Sequence, residues 1–359
     1  LPLTDVKVAD ISGSVATSYA TKLMADYGAR VVNFEGCGFP TRDLQPFLPA
    51  TSDSAMHGYL HQNKASVART ASVDELDRFD VVFYDPQSEQ PDCATNTSAI
   101  SWFGKKSMYG HYCGTDGVVH ALTGLMRGIG EVEGPPIIPS GYEAQIIGGL
   151  AAYIGTMGHL LGQQLGNLKP RFNLDTSIFE ANLCLTEVGM VAAHNTGMVT
   201  PRMGINKFPP TYPQGIFPCQ DGWIGVSVLT PSQWRAFCEI LDMPDLLKEP
   251  RYHSTLERLA DREIIEPVML QRLAECSSEE LFYRGQRARV PLARVPTMEE
   301  LFNVDQFVDR HAFSTIEHAG ESYQVPSVPF RLYASPPHFG GRVSALGENN
   351  DDWPTWQTS

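Results

Sequence analysis

The sequence predicts an α/β protein with a large domain on a parallel sheet and a smaller α/β domain after it. Three observations carry this reading. Residues 5–35 run strand, helix, strand, a βαβ unit whose right-handed crossover implies parallel strands. Residues 214–234, QGIFPCQDGWIGVSVLTPSQW, read as two short alternating strands about a turn at Asp221-Gly222, followed by a helix opened by a Pro-Ser-x-x-Trp signal. Between them, residues 198–213 carry Pro201, Pro209, Pro210 and Pro213 and read as a linker.

Each element has its own warrant. VKVADIS is a near-continuous apolar strand, as a sheet covered on both faces requires. Residues 16–28 form an amphipathic helix, with Tyr19, Leu23 and Met24 on one side and Gly28 as its C-terminal stop. RVVNFE is the second buried strand, VVFYD at 81–85 a third and AISWFG at 99–104 a fourth. Residues 36–62 lack periodicity and read as a long loop. Residues 117–130 read as a helix with a Gly-rich end. Residues 146–166, IIGGLAAYIGTMGHLLGQQLG, read as an apolar helix with small residues, buried on most sides or packed on a partner. NLDTS at 173–177 is a short strand leading into a helix. Within 214–312 further helices are expected near 231–241, 255–275, 278–286 and 297–303, and the Pro-rich end, 313–359, is extended.

Composition narrows the function classes. A formal charge of −14 argues against nucleic acid as the main partner, because phosphate neutralisation needs clustered Lys and Arg. No run of about 18 apolar residues predicts a membrane span, and the start lacks the pattern of a signal peptide. The seven cysteines are scattered, without a C-x-x-C pair, and read as reduced thiols of a cytoplasmic protein. The histidines show no metal-binding spacing, so no metal is expected.

A series of motifs then gives the chain a resemblance. DISGSVATSYATKLMADYGARVVNFE, YLHQNKAS, GTDGVVHALTGLMRGIGE, RFNLDTSIFEANL, PRYHSTLERLADRE, VPLARVPTMEELFNVDQF and VPFRL with LGENND follow one another in this order. Together with the 214–234 segment they resemble the family III CoA-transferases, the group of formyl-CoA, carnitine and benzylsuccinate CoA-transferases and the 2-methylacyl-CoA racemases. The resemblance covers almost the whole chain. It implies a Rossmann-like large domain holding both chain ends (1–197 and 313–359), a linker at 198–213, a small α/β domain at 214–312, and two subunits threaded as interlocked rings. It also implies transfer of CoA from an acyl-CoA to a free carboxylic acid, with coenzyme A as a co-substrate.

That chemistry needs a carboxylate that can attack the donor thioester and later leave. In the family an aspartate does so at the start of the apolar helix, in a pattern like A-D-x-x-x-G-L. Here the aligned residues are Ala144 and Gln145, and a primary amide cannot form the anhydride. Three readings stay open. The chain is the non-catalytic half of a heterodimer whose homologous partner bears the aspartate, or Glu143 serves as nucleophile in a homodimer, or the chain binds or scaffolds without catalysis. The racemase pair is also missing, since the family's histidine position reads Thr115 beside Asp116. The resemblance assigns CoA contacts to Val15, Ala16 and Asp116. The basic residue after the second strand reads Gly36, and the asparagine after the third reads Asp85, so Arg42, Lys64 and Arg69 are the remaining candidate phosphate contacts. The bland reading of Lys64 is a solvated loop lysine, and that of Asp116 is a helix cap.

Overall fold

The computed structural model describes residues 1–36, 38–87, 91–167, 171–197, 202–207 and 211–353. Cys37, Pro201, Pro209 and Pro210 lie outside them, with much of the expected linker. The chain forms two compact units, one of residues 1–125, 138–187 and 304–359, the other of 126–137 and 188–303. The sequence puts the joins at 197/198 and 312/313; the units change over at 187/188 and 303/304.

The first unit is built on six parallel strands: β1 (Lys7–Asp10), β2 (Arg30–Phe34), β3 (Ala65–Val67), β4 (Val81–Tyr84), β5 (Asn96–Ser101) and β6 (Asn173–Ser177). Their order is β3-β2-β1-β4-β5-β6, so the topology reverses between β1 and β4. Val8 stands level with Val31 of β2 and Val81 of β4. Alternation sends Val8, Val31, Val81, Phe83 and Ile100 to one face and Ala9, Val32, Val82 and Ala99 to the other. The first face is covered by helices α1 (Val15–Asp26) and, later in the chain, Glu143–Gln164. Trp353 packs on the second face against Phe34 and Phe79.

Ser14 caps α1 by accepting from the Thr17 amide, and Gly28, just past the C-cap Tyr27, takes φ +105° as its stop. The segment expected as a featureless loop instead holds a 3₁₀ turn (Pro40–Asp43) and α2 (Ala55–His61), capped by Ser54. Gly58 in mid-helix hides it from propensity, yet the tertiary fit requires it: a Cβ there would lie 2.0 Å from the Tyr323 hydroxyl. Then come α3 (Val73–Leu76), α4 (Asp116–Leu122), α5 (Glu143–Gln164) and α6 (Ile178–Leu183). The expected helix over 117–130 stops at Leu122 and resumes only as a 3₁₀ turn, Leu125–Gly128, because Gly124 takes φ +80°. Helix α5 buries Ala144, Gly148, Gly149, Ala152, Tyr153 and Thr156, while Leu150, Ile154, Leu161 and Leu165 are exposed. It is therefore buried along one stripe of this chain rather than on most sides, although it is long and apolar enough to cross a membrane.

The second unit contains α7 (Glu187–Thr196) and the hairpin β7 (Gln214–Cys219) and β8 (Gly222–Ser227). Its two turn residues are Gln220 and Asp221, one position earlier than the sequence suggests, since Gly222 already pairs with Cys219. Helices α8 (Pro231–Ile240), α9 (Pro244–Lys248), α10 (Thr255–Ala260), α11 (Arg262–Leu273) and α12 (Ser278–Ala288) follow, then β9 (Leu292–Arg294) beside β8. Trp234 and Phe237 are wholly buried in its core, and the guanidinium of Arg258, stacked over Trp234, donates to the Tyr212 and Tyr252 carbonyls. The chain returns to the first unit through α13 (Asp305–Asp309), the hairpin β10 (Phe313–His318) and β11 (Glu321–Pro326), and β12 (Gly341–Arg342). The segment expected to be merely extended thus forms a three-stranded sheet.

Candidate active site

In an open parallel sheet, ligands bind beyond the carboxyl ends of the strands, where the order reverses. Here that point lies between β1 and β4. The turn after β1, Ser12-Gly13-Ser14, leads into the start of α1. Asp10 at the end of β1 holds this turn, its Oδ1 accepting from the Ser12 and Gly13 amides, both at 3.1 Å. Gly13 takes φ +61° with the Phe39 ring pressed against it, so no side chain fits there.

A buried polar network supports the turn from below. Thr21 Oγ1 donates to Asp10 Oδ2 at 3.2 Å, and the Lys64 ammonium donates to Thr21 Oγ1 at 2.8 Å and the Ser18 carbonyl at 2.9 Å. Lys64 is 2 % exposed, which overturns its reading as a solvated loop lysine; its ammonium is engaged by the Thr21 hydroxyl and the Ser18 carbonyl. Burial pushes its ammonium down to about 7 and the Asp10 carboxyl up, while their mutual attraction opposes both shifts. Next to it His61 donates or accepts through Nε2 at Thr41 Oγ1, 3.0 Å away, and stacks on His57 at 4.2 Å. Burial, reinforced by neighbouring cations, drives His57 down to about 2 and His61 well below its usual range.

Val15 and Ala16 lie in the first turn of α1, both buried, and the Ala16 carbonyl faces Gly149 of α5. A Cβ at Gly149 would come within 2.5 Å of that oxygen, so the glycine permits the close helix crossing. One turn earlier on α5 stands Gln145. Its side-chain Nε2 donates to Asp116 Oδ2 at 2.9 Å and its backbone N to Asp116 Oδ1 at 3.1 Å. Asp116 thus caps a helix, but it caps α5 rather than its own α4, whose cap is Thr115. Glu143 is exposed, two residues from Gln145 and therefore on a different side of the helix.

The remaining predicted phosphate contacts are Arg42 and Arg69. Arg42 forms a two-point pair with Glu35 (2.6 and 2.9 Å), and Arg69 another with Glu75 (2.9 and 2.6 Å). Both guanidinium groups are therefore already engaged by carboxylates. Lys105 and Lys106, which the sequence reading did not single out, follow four and five residues after the end of β5. A lysine doublet in so acidic a chain, soon after a parallel strand, was a signal open to notice. No group of three or more His, Cys, Asp or Glu among the described residues is placed to hold a metal ion.

Comparison with known proteins agrees with this architecture. The profile of CoA-transferase family III matches residues 3–69 and 97–350. The succinyl-CoA:mesaconate CoA-transferase of Haloarcula marismortui is 26% identical over 98% of this chain and 95% of its own length. The succinyl-CoA–L-malate CoA-transferase alpha subunit of Chloroflexus aurantiacus is 25% identical over 97% of this chain and 86% of its own. Among solved structures, a CaiB/BaiF family protein from Brucella suis superposes with a TM-score of 0.83 at 19% identity, covering 99% of this chain and 98% of that one. Rv3272 of Mycobacterium tuberculosis gives 0.77 at 19% identity, with 98% of each chain covered.

Proposed function

The chain belongs to CoA-transferase family III, and from that premise we propose that it is the half of a CoA-transferase that lacks the nucleophile. The reaction is transfer of CoA from an acyl-CoA, succinyl-CoA being the donor named in the relatives above, to a free carboxylic acid. The observation that carries the proposal is Gln145. The amide stands at the start of α5 where the resemblance expects a carboxylate, and Asp116 holds it by both backbone and side chain. An amide so engaged cannot carry an acyl group.

The partner is a homologous chain bearing aspartate at this position. The alpha-subunit name of one relative supports a heteromer, and the exposed Leu150, Ile154 and Leu161 of α5, with Leu165 at its C-cap, offer an apolar face for another chain. Autonomous catalysis through Glu143, which shares the α5 face of Leu150, Ile154 and Leu161, is the alternative that the labelling test below separates from this reading. Val15, Ala16 and the turn held by Asp10 would then contact the CoA moiety.

The test is purification from the source under native conditions, with the succinyl-CoA adduct trapped by hydroxylamine. An Asp-bearing second chain that alone carries the adduct is the expected result. Labelling of this chain as the only one present would overturn the proposal and return Glu143 to consideration.

A further inference from the structure

The face of the sheet opposite α5 carries a cavity of about 270 Å³ over β4, β5 and β6. Lys105, Lys106 and Arg171 line it, with Tyr84, Thr97, Asn173 and Asp175 among the rest. The crossover from Tyr84 to Asn96 is short, and its described residues form no helix that would cover this face. Two of the three cations are fixed in place by neutral acceptors. The Lys105 ammonium donates to the Tyr84 hydroxyl at 2.9 Å, and Arg171 donates to the Thr95 and Cys93 carbonyls at 3.1 and 2.6 Å. None of the three is paired with a carboxylate among the described residues, in contrast to Arg42 and Arg69. One carboxylate, Asp175, lines the cavity, and both its oxygens accept from the Lys105 backbone amide at 3.1 and 3.2 Å.

We infer that this cavity is an anion site for a phosphate monoester, and that in the complex it takes the 3′-phosphate of the CoA nucleotide. Three cations against one carboxylate leave a charge of two, which a phosphate monoester of about −1.5 to −2 matches and a carboxylate does not. In a chain of net charge −14, binding a phosphate calls for a local cluster of unpaired cations against the overall field. Position agrees. Tyr84 ends β4, the strand beside β1, and Lys105 lies past the end of β5, the next strand, so these two residues stand at the carboxyl edge that carries the turn, roughly 5 and 10 Å from it in lateral strand spacing, while Arg171 precedes β6 at the cavity's other end. A nucleotide with its pyrophosphate at that turn spans these distances. Lysines past β5 thus take over from the family's basic position, which here is Gly36. This assignment rests on the CoA reading above.

The test compares CoA with dephospho-CoA, which lacks only the 3′-phosphate, by calorimetric titration of the full chain in the assembly in which it purifies. The unmodified protein binds CoA about tenfold more tightly than dephospho-CoA, the worth of one charge-assisted hydrogen bond. Lys106→Ala, an exposed site, removes that preference and leaves the dephospho-CoA affinity and the thermal midpoint unchanged; Lys106→Glu reverses it. An absent preference, or one that survives both substitutions, overturns the assignment. Failure to bind either ligand overturns instead the CoA reading on which it rests. Inorganic phosphate is titrated in parallel. Binding of it that depends on Lys106, with the CoA preference unaltered, transfers the site to free phosphate and overturns the nucleotide assignment.

Discussion

His57 and His61, stacked and almost fully inaccessible, set a pH dependence at the scale of the residue. Their folded-state affinity for protons is depressed, whereas in the unfolded chain they titrate near 6.5. Below that value the unfolded state binds protons that the folded state refuses, so stability is lost as pH falls from about 6.5. Asp10 and Asp26, whose carboxyls are raised by burial, act in the opposite sense, so the informative quantity is the difference between variants. His57→Gln, which keeps a group able to bond Thr41, lessens the slope of unfolding free energy between pH 6 and 5 by up to about 1.4 kcal/mol per pH unit, read from urea titrations. An unchanged slope would show that His57 is protonated in the folded protein. A second residue-scale prediction concerns Asp116. Asp116→Ala strips the α5 start of its cap and costs about 1 kcal/mol, while Asp116→Asn keeps an acceptor and loses less; equal loss in both would count against the capping role. These two cases mark what was legible. The Gln145 position could be read through the family resemblance and a capping role for Asp116 from its residue type, though not which helix it caps. The burial of Lys64 could not, because its partners, the Ser18 carbonyl and Thr21, lie more than forty positions away in sequence and meet it only through the fold.

Among elements, those with long apolar periods were legible and those made by tertiary contact were not. α1, α5 and the strands β1, β2 and β4 announce themselves because each buries a continuous apolar set. The seven-residue α2 and the three-residue β3 are too short for a period, and Gly58 argues against the helix that its packing demands. The glycines of α5 separate the two kinds of demand within one element. At Gly149 an added methyl meets the Ala16 carbonyl oxygen at 2.5 Å and the Ala20 nitrogen at 3.4 Å, whereas at Gly158 nothing lies within 4 Å. Gly149→Ala should therefore cost about 1–3 kcal/mol by forcing α1 and α5 apart, outweighing the gain in helix propensity. Gly158→Ala should instead stabilise, by up to about 1 kcal/mol. Thermal melts of the two single variants check this, and a stabilised Gly149→Ala would mean that the α1–α5 contact yields without strain.

For the whole molecule, α5 is also where the proposed heteromer becomes measurable. Leu150, Ile154, Leu161 and Leu165 recur at spacings of four, seven and four, so they form one stripe along the helix, and Ile154 is 61 % exposed. A stripe of large apolar side chains open to water is unfavourable by roughly 25 cal/mol per Å² and is relieved when another surface covers it. In the proposed heteromer the Asp-bearing homologue would cover this stripe and make it an interface centre, where a buried charge without a partner is costly. Because the side chain makes little contact within its own chain, Ile154→Arg should leave the isolated fold within about 0.5 kcal/mol of the original. In the complex the same change should weaken association at least about a hundredfold, equivalent to roughly 3 kcal/mol. Sedimentation of the co-expressed pair, with circular dichroism of the variant alone, measures the two effects separately. Loss of the pair with the monomer intact identifies the stripe as the interface, and transferase activity should vanish with it. A pair that persists at full affinity would put the partner elsewhere on the chain and leave the exposed stripe without the role assigned to it.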